Sequence, residues 1–339
     1  MNYRTLGRSG LKVSPICLGA MNFGGGDGDW SGFGACEEPE AVRIIDAFLD
    51  AGNNFIDTAD AYTGGMSEEI VGRAVRGRRD AVVLATKAAM PTGTGPNGAG
   101  LSRVNLTRAL EASLRRLGTD YVDLYQCHFP DADTPIEETM AALDGFVRSG
   151  KVRYIGCSNF GAGQIVEAQW AAERVGGTPF IAVQSQYSLL ARDIEADVVP
   201  TCGRHGLGVL AWSPLASGLL AGRYRRGVRP EPGTRLGRMS AMEAPVARAW
   251  AATLLTDRGF GVAEEVEKVA AAMGSTPAAV ALAWVAGRPG VSSVVIGPRT
   301  MAQYEQNLAG FALELPAEMV ARLEDASGPA PRALTGMPA

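Results

Sequence analysis

Residues 122–128 read VDLYQCH, a short apolar run that ends on a polar side chain. Such runs, separated by amphipathic stretches, are typical of buried strands joined by crossover helices. We predict eight strands of this kind, at Ile16 to Gly19, Asn54 to Asp57, Ala81 to Lys87, Val122 to His128, Val152 to Ser158, Ile181 to Gln186, Gly208 to Trp212 and Ser293 to Ile296. The pattern therefore indicates a parallel sheet covered by helices.

Eight strands, each followed by a helix, are the number that closes a (β/α)8 TIM barrel, and 339 residues suit that fold with some insertion. An open doubly wound sheet is the alternative, but it would concentrate its ligand at one switch point. In a barrel the active site lies at the C-terminal ends of the strands, where Asp57, Lys87 and His128 stand in this sequence. We therefore predict one barrel domain that spans residues 1–339.

Three segments flank or interrupt the predicted barrel. Residues 3–6 and 12–13, separated by the turn sequence GRSG, predict a small N-terminal β-hairpin that plugs the bottom of the barrel. The stretch 217–258 is rich in proline, glycine and arginine and predicts a long loop after strand 7, either a mobile lid or a solvated insertion. The C-terminal tail from Gly328 onward is rich in proline and small residues, and we expect poor order there unless it folds over the site.

Proline marks the start of two predicted helices. Thr134, Pro135 and Glu137 offer an N-cap, a proline at the first helical position and a capping-box glutamate, and Gly150 can end that helix. The pair Thr276-Pro277 predicts the start of another helix in the same way, ahead of the eighth strand.

The composition describes an ordinary soluble chain, with 46% hydrophobic and 20% charged residues. A net charge of -4 and a pI near 5.4 argue against a nucleic-acid partner, since such partners usually need a basic face. Residues 1–5 lack a basic region followed by an apolar run, and no apolar stretch is long enough to cross a bilayer, so we expect a cytoplasmic protein without a membrane partner. Five cysteines without a CxxC pair indicate reduced thiols, and two distant histidines give no metal-ligand spacing.

Four polar residues fall where a predicted strand gives way to its loop, and together they can protonate a carbonyl: Asp57, Tyr62, Lys87 and His128. A phenol has a pKa of about 10, but a neighbouring ammonium such as Lys87 favours the phenolate and lowers that pKa. Asp57 can hold Lys87 by a salt bridge, and His128 can orient the carbonyl oxygen or share in the proton transfer. Each residue alone has an ordinary structural role, whereas their combination predicts a reductase site.

Motifs at the ends of the strands follow one another in a recognisable order. Residues 57–62 (DTADAY) precede SEE at 67–69, and residues 82–87 (VVLATK), 123–128 (DLYQCH) and 156–160 (GCSNF) end the next three predicted strands. In this order they resemble the aldo-keto reductase superfamily, over roughly residues 1 to 312. The motifs LAWSPL (210–215) and IGPRT (296–300) are similar to the bacterial branch that is related to potassium-channel beta subunits.

The resemblance implies an NADPH site spread over the later strand ends. Ser158, Asn159 and Gln184 resemble the residues that bind the nicotinamide carboxamide, and Trp212 resembles the aromatic that stacks on the ring. Arg299 would bind the adenosine 2′-phosphate and favours NADPH over NADH, because a bare hydroxyl needs no guanidinium fork. The other implied cofactor contacts are Gly19, Met21 and Asp57, the pyrophosphate turn of Ser213, Pro214, Leu215, Ser217 and Gly218, and Gly297, Gln303, Gln306 and Asn307 around the adenosine. Among these, Gln306 departs from the glutamate often found in the resembling branch.

Strand alternation sorts the neighbours of the candidate residues by face. Cys127 and Cys157 precede His128 and Ser158 directly, so we predict that their side chains pack against the helix layer rather than in the site. By the same rule, Gln126 shares the barrel-facing side with His128.

We predict that the chain reduces an aldehyde or ketone with NADPH, with Tyr62 as the general acid. An NADPH-binding redox-sensing or regulatory module with slow turnover is one alternative, and a lyase or isomerase with Lys87 as a Schiff-base nucleophile is another. Trp30, Phe33 and Phe129 are candidate walls of the substrate pocket and favour a partly aromatic or apolar substrate. The sequence leaves open whether identical chains form a homo-oligomer.

Overall fold

Eight parallel strands close into a barrel in the computed structural model, which describes residues 2–25 and 36–328. The eight strands follow one another around the barrel in chain order, and the last strand pairs with the first, with Val294 beside Ile16. The predicted TIM barrel is thereby confirmed, and the open sheet is excluded because both edges are paired.

The elements follow the predicted alternation of strand and helix. The strands are β1 (Arg4–Thr5), β2 (Lys12–Val13), β3 (Ile16–Gly19), β4 (Phe55–Asp57), β5 (Val83–Ala88), β6 (Val122–Cys127), β7 (Val152–Ser158), β8 (Phe180–Gln186), β9 (Gly208–Trp212) and β10 (Val291–Ile296). The α-helices are α1 (Glu38–Asp50), α2 (Met66–Ala74), α3 (Arg103–Leu117), α4 (Ile136–Arg148), α5 (Ala162–Arg174), α6 (Val198–His205), α7 (Arg235–Ala241), α8 (Pro245–Leu254), α9 (Asp257–Ala272), α10 (Pro277–Ala286), α11 (Met301–Ala312) and α12 (Ala317–Ser327). Short 3-10 helices cover Tyr62–Gly65, Arg79–Ala81, Asp193–Glu195 and Ala216–Ala221.

Two apolar layers hold the barrel together. Inside it, Phe55, Leu124 and Leu210 form a small cluster with Leu6 and Val13 of the antiparallel β1–β2 hairpin. The predicted hairpin therefore plugs one end of the barrel. Between the strands and the helices lies a larger cluster, and Cys127 and Cys157 belong to it as strand alternation predicts. All five cysteines are buried and free.

The two proline-marked helices begin differently. The hydroxyl of Thr276 accepts a hydrogen bond from the backbone N–H of Ala279, and Pro277 is the first residue of α10, as predicted. Helix α4 instead begins at Ile136, with Pro135 in the N-cap position, so the predicted Thr134 cap is wrong. The Thr134 hydroxyl donates to Asp131 at 2.6 Å, which removes it from the helix end.

The segment after β9 is not the long structureless loop that its composition predicts. It contains the 3-10 helix Ala216–Ala221 and the helices α7 and α8. Thr234 caps α7 by accepting a hydrogen bond from the backbone N–H of Gly237, and Pro245 starts α8. These start signals are short, and the surrounding prolines and glycines hide them.

Two other predictions concern segments outside the described residues. Trp30 and Phe33 lie in the gap between residues 25 and 36, and the tail prediction concerns residues beyond Gly328. Within the described ranges, no single helix has the length and apolar character needed to cross a membrane, although α9 and α10 together pass that test as a pair bent by 99°.

Candidate active site

The mouth of the barrel brings together three of the four predicted catalytic residues through one ammonium group. Lys87 Nζ donates to Asp57 Oδ2 at 2.6 Å, to the Thr58 carbonyl at 2.8 Å and to the Tyr62 hydroxyl at 3.2 Å. The strand register explains the first contact. Ala85 lies beside Asp57, and Lys87 stands two residues further along β5 on the same face. Tyr62 opens the 3-10 helix that follows β4.

Asp57 is held from both sides of its carboxylate. Oδ2 accepts from Lys87, while Oδ1 accepts from Gln126 Nε2 and Gln184 Nε2, each at 3.0 Å. Gln126 faces the site, as strand alternation predicts. Gln184, a candidate carboxamide contact, donates to Asp57 in this structure. Three charge-assisted hydrogen bonds on a buried carboxylate fix the position of Lys87.

The charge of Asp57 keeps Lys87 protonated, and burial keeps Tyr62 neutral. Burial lowers the pKa of Lys87, but Asp57 and Tyr62 together raise it above the ordinary lysine value. For Tyr62, burial raises the pKa above its ordinary value of about 10. The Lys87 ammonium lowers this pKa, but by less than burial raises it. The net direction differs from the lowering that we predict from Lys87 alone, because the desolvation of a buried phenol exceeds the effect of one cation.

His128, the fourth predicted catalytic residue, also contacts Tyr62. Its ring contacts the Tyr62 ring edge to face, with centroids 5.6 Å apart, and stacks on Phe129 at 5.0 Å. Burial, and then the charge of Lys87, place the pKa of His128 well below its usual value, so the imidazole is neutral. Within the described residues, Nδ1 of His128 is buried without a hydrogen-bond partner. A neutral imidazole beside a phenol can orient a carbonyl oxygen.

A chain of hydrogen bonds joins the ends of β7 and β9. Asn159 donates from Nδ2 to the Ser158 hydroxyl and to the His128 carbonyl, both at 3.0 Å. Trp212 Nε1 donates to Asn159 Oδ1 at 3.2 Å. The indole of Trp212 also stacks on Trp250 of α8, with centroids 5.4 Å apart and planes inclined by 25°. The candidate nicotinamide contacts are thus one connected surface, which the α8 tryptophan extends.

Left-handed backbone conformations occur at the predicted cofactor residues. Asn159 has φ of 63°, and Ser213, Ala216 and Ser217 have φ of 55°, 45° and 56°. For residues other than glycine, such conformations cost about 1–3 kcal/mol each and cluster at ligand sites. The turn after β9 therefore has the strain expected of a backbone that is shaped around a ligand.

Arginines from distant parts of the chain approach one another beyond this turn. Arg299 follows β10 and donates to the Gly233 carbonyl at 3.4 Å, while Arg235 of α7 donates to Asn22 Oδ1 at 2.6 Å. Burial lowers the pKa of Arg235 to about 10, and the charges of Arg238 and Arg299 add to this shift. Three guanidinium groups thus lie near enough to repel one another.

The remaining predicted cofactor residues border the same region. The side chain of Asn22 also donates to the carbonyl of Gly297 at 2.5 Å, and the backbone N–H of Arg299 donates to Gln303 Oε1 at 3.0 Å. Gly19 has no room for a side chain, since an added Cβ would lie 2.7 Å from Val295. On α11, Asn307 is buried and Gln306 is exposed, and Met21 in the first loop is half-buried.

The comparison with known proteins agrees with this geometry. The model of the aldo/keto reductase family matches residues 15–327. This chain belongs to that family. It is 40% identical to the uncharacterized oxidoreductase YrpG of Bacillus subtilis over 336 residues, which cover 96% of this chain and 95% of the relative. It is 38% identical to a probable voltage-gated potassium channel subunit beta of Arabidopsis thaliana, covering 91% and 90% of the two chains, and 34% identical to versiconal hemiacetal acetate reductase of Aspergillus parasiticus, covering 96% of each. The predicted resemblance is confirmed, and the aldo/keto reductase is an oxidoreductase enzyme.

Aldo/keto reductases generally use NAD(P)H, and the residues beyond β9 fit the anionic part of that cofactor. Nε and Nη2 of Arg238 are buried without a hydrogen-bond partner among the described residues. A guanidinium such as that of Arg238, whose buried donors lack partners and which lies near like charges, is costly unless an anion neutralises it. The phosphates of a dinucleotide would supply that anion.

Several residues of this aldo/keto reductase site escape prediction from sequence. Asn22, Arg235 and Arg238 join the phosphate end, and Trp250 joins the aromatic surface. Asp60 lies buried between Asp57 and Tyr62 and carries a pKa raised to about 7, first by burial and then by the charge of Glu68. The position of Asp60 inside the DTADAY motif is the one sequence signal that could have marked it.

Proposed function

We propose that the chain is an NADPH-dependent reductase that converts an aldehyde or ketone to an alcohol, with Tyr62 as the general acid. The observation that carries this proposal is the Lys87 ammonium, which contacts both Asp57 and the Tyr62 hydroxyl in a buried site. A neutral phenol that donates to a carbonyl oxygen becomes a phenolate, and the adjacent ammonium stabilises that charge without rearrangement.

Each of the four residues at the strand ends has a separate role in the proposed reduction. Bound NADPH supplies the hydride that adds to the carbonyl carbon. Tyr62 transfers its hydroxyl proton to the carbonyl oxygen, so the substrate gains one hydride and one proton and becomes the alcohol. Lys87 stabilises the phenolate, Asp57 holds Lys87 in place, and the neutral imidazole of His128 orients the carbonyl oxygen. Proton exchange with solvent then restores Tyr62.

The cofactor contacts follow the family resemblance, and the hydrogen bonds among these residues support them. Ser158 and Asn159 would bind the carboxamide, with Gln184 beside them, and Trp212 would stack on the nicotinamide ring. The left-handed turn that includes Ser213 and Ser217 wraps the pyrophosphate. Arg299 at the end of β10 binds the 2′-phosphate, which favours NADPH over NADH.

We propose an aromatic or apolar carbonyl compound as the substrate. Phe129 stacks on His128, and the indole pair of Trp212 and Trp250 lies at the end of β9, so flat apolar surfaces border the mouth. One relative is named as a reductase of versiconal hemiacetal acetate, which supports reduction of a carbonyl-derived substrate in this family.

The direct test compares the unmodified protein with Tyr62→Phe. Oxidation of NADPH is followed by absorbance against a panel of aromatic aldehydes and ketones, and NADPH binding is measured by fluorescence. We expect kcat/KM to fall by about 10³-fold or more in the variant, since a general acid contributes about 10²–10⁴-fold and the hydroxyl has no substitute here. NADPH affinity should change little.

A matched control separates loss of the acid from loss of any tyrosine hydroxyl. Tyr121 lies ahead of β6, away from the barrel mouth, and its hydroxyl donates to Asp80 at 3.0 Å. Tyr121→Phe should retain full turnover. Retained turnover in Tyr62→Phe, or loss of NADPH binding in that variant, would overturn the assignment of Tyr62.

The alternative is an NADPH-binding redox-sensing or regulatory module with slow turnover, which the relatives named as potassium channel beta subunits favour. A stopped-flow experiment distinguishes the two. In the reductase, the first oxidation of bound NADPH and the later cycles proceed at comparable rates, whereas in the sensing module one cycle is followed by slow steady-state turnover. A Schiff-base role for Lys87 is disfavoured, because that mechanism needs a neutral amine and the ion pair with Asp57 keeps Lys87 protonated.

A further inference from the structure

Arg238 belongs to the guanidinium cluster, which we define as Arg235, Arg238 and Arg299. It lies on α7, three residues after Arg235, and Tyr224 and Leu236 anchor that helix to the turn after β9 through a hydrogen bond of 3.1 Å between the Tyr224 hydroxyl and the Leu236 N–H. The side chain is half-buried, and its Nε and Nη2 atoms have neither solvent contact nor a hydrogen-bond partner among the described residues. Burial lowers the pKa of Arg238.

The charge of Arg238 acts on Arg299. After burial, the charge of Arg238 is the largest influence that lowers the pKa of Arg299, and the charge of Arg223 follows. Arg299 also reaches the carbonyl of Gly233, just ahead of α7. The guanidinium groups of Arg238, in the insertion after β9, and of Arg299, in the loop after β10, therefore lie close enough for their charges to interact. Like charges at this range repel each other, and a dianion between them would remove that cost.

We infer that Arg238 binds the 2′-phosphate of NADPH together with Arg299 and acts as a second determinant of cofactor selectivity. This inference rests on the proposed function. A phosphate monoester carries about -1.5 to -2 charge at neutral pH and presents three terminal oxygens, which two guanidinium forks can share. The pyrophosphate is common to NADPH and NADH and lies on the turn of Ser213–Gly218, so it leaves the Arg238 donors unused.

The test measures binding rather than turnover. Calorimetry and fluorescence give dissociation constants of NADPH and NADH, and calorimetry gives those of adenosine 2′,5′-bisphosphate and adenosine 5′-monophosphate. The variants are Arg238→Met, which keeps an apolar stem, and Arg238→Lys, which keeps the charge. The control is Arg248→Met on α8, where the Arg248 side chain is exposed and, among the described residues, donates only to the Met242 carbonyl.

We expect Arg238→Met to weaken NADPH and the 2′,5′-bisphosphate about 10- to 100-fold, since hydrogen bonds to a charged group contribute about 1.5–3 kcal/mol. Affinity for NADH and for the monophosphate should stay within about twofold of the unmodified protein. Arg238→Lys should recover part of the loss, because a point charge replaces a fork. Arg248→Met should match the unmodified protein with all four ligands.

Three results would overturn the inference. An equal loss of affinity for NADPH and NADH in Arg238→Met would show that Arg238 binds the pyrophosphate or has a structural role. Unchanged NADPH affinity in Arg238→Met would show that the phosphate does not meet this residue. An unmodified protein that binds NADH and NADPH equally would remove the selectivity itself while leaving the reductase function intact, whereas failure to bind either cofactor would defeat the proposed function as well. Thermal unfolding of each variant shows whether a loss reflects misfolding, and Arg238→Lys remains informative if Arg238→Met unfolds.

Discussion

The ion-pair network at the strand ends and the segment 217–258 differ in how fully their charged groups are buried and hydrogen-bonded. At the strand ends, Lys87 and Asp57 are buried, and the hydrogen bonds that they exchange with neighbouring side chains and backbone complete the site without a ligand. In the segment, Arg235 and Arg238 crowd Arg299 and are only half-buried, and Arg238 retains donors without acceptors. The difference is what the proposed function requires, in which the barrel would carry preorganised chemistry and a bound ligand would complete the insertion.

We expect the largest effect from a substitution that removes the ammonium at the strand ends. In Lys87→Met, the phenolate of Tyr62 loses its cation, and we expect kcat to fall by about 10³-fold or more. Asp57 becomes a buried carboxylate without its cation, so the free energy of unfolding should fall by about 3–5 kcal/mol. Steady-state kinetics and urea unfolding measure the two losses.

A double variant separates these two losses. Asp57→Asn combined with Lys87→Met removes both charges, so it should regain most of the lost stability while remaining inactive. Recovery of turnover in the double variant would show that the ion pair serves the fold and not the chemistry. By contrast, Arg248→Met in the segment should leave both quantities unchanged.

The strand-end half of the site is predictable from sequence because its rules are local. Alternation places Gln126 on the barrel-facing side, and parallel strands gather Asp57 and Lys87 at one end. The direction of the Tyr62 pKa is not predictable in the same way, because it depends on how deeply the phenol is buried.

The segment defeats prediction for a different reason. No periodicity links Arg235 to Asn22, which lies 213 residues away in the chain, or Trp250 to Trp212. The prolines and glycines around α7 and α8 suggest an irregular loop. The signals that start these helices are single residues, so they are too weak to outweigh that composition. Such contacts follow from how the insertion folds back on the barrel, which tertiary packing decides.

The second prediction concerns Asp60, a buried carboxylate in the strand-end region. Asp60 is 3% exposed, and neither carboxylate oxygen has a hydrogen-bond partner among the described residues. Burial and then Glu68 raise its pKa, while Arg116, the backbone N–H of Ala61 and Lys87 lower it, and its own charge acts on Tyr125. With a pKa raised to about 7 in the folded protein, against a reference value of 3.8, the folded state binds more protons between these pH values. Stability due to Asp60 is therefore complete below pH 4 and is lost as the pH rises through 7.

Replacing Asp60 by asparagine should remove that dependence. We expect the free energy of unfolding of Asp60→Asn to exceed that of the unmodified protein by about 2–4 kcal/mol at pH 8. At pH 4 the two should differ little, since asparagine resembles the protonated acid. Urea unfolding across this range provides the measurement, and the exposed Asp120→Asn serves as the control. Parallel stability curves for Asp60→Asn and the unmodified protein would contradict a protonated buried Asp60.

The smallest expected effect tests the aromatic contribution of the insertion. Trp250→Ala removes the ring that stacks on Trp212 but leaves the bond between Trp212 and Asn159 intact. We expect KM for a planar substrate such as nitrobenzaldehyde to rise about five- to tenfold, consistent with about 0.5–1.5 kcal/mol for an aromatic pair, while kcat changes little. KM for a short aliphatic aldehyde should not move, because such a substrate offers no face for stacking.

Trp170→Ala provides the matched control, because Trp170 is 58% exposed on α5 and stacks on no described ring. Equal loss for both substrates in Trp250→Ala would mean that the indole supports Trp212 and the cofactor instead of the substrate. A fall in kcat of the size expected for Lys87→Met would contradict the division between the two regions, because the insertion would then take part in the chemistry itself. If only KM for the planar substrate changes, the barrel performs the reduction and the insertion selects what is reduced.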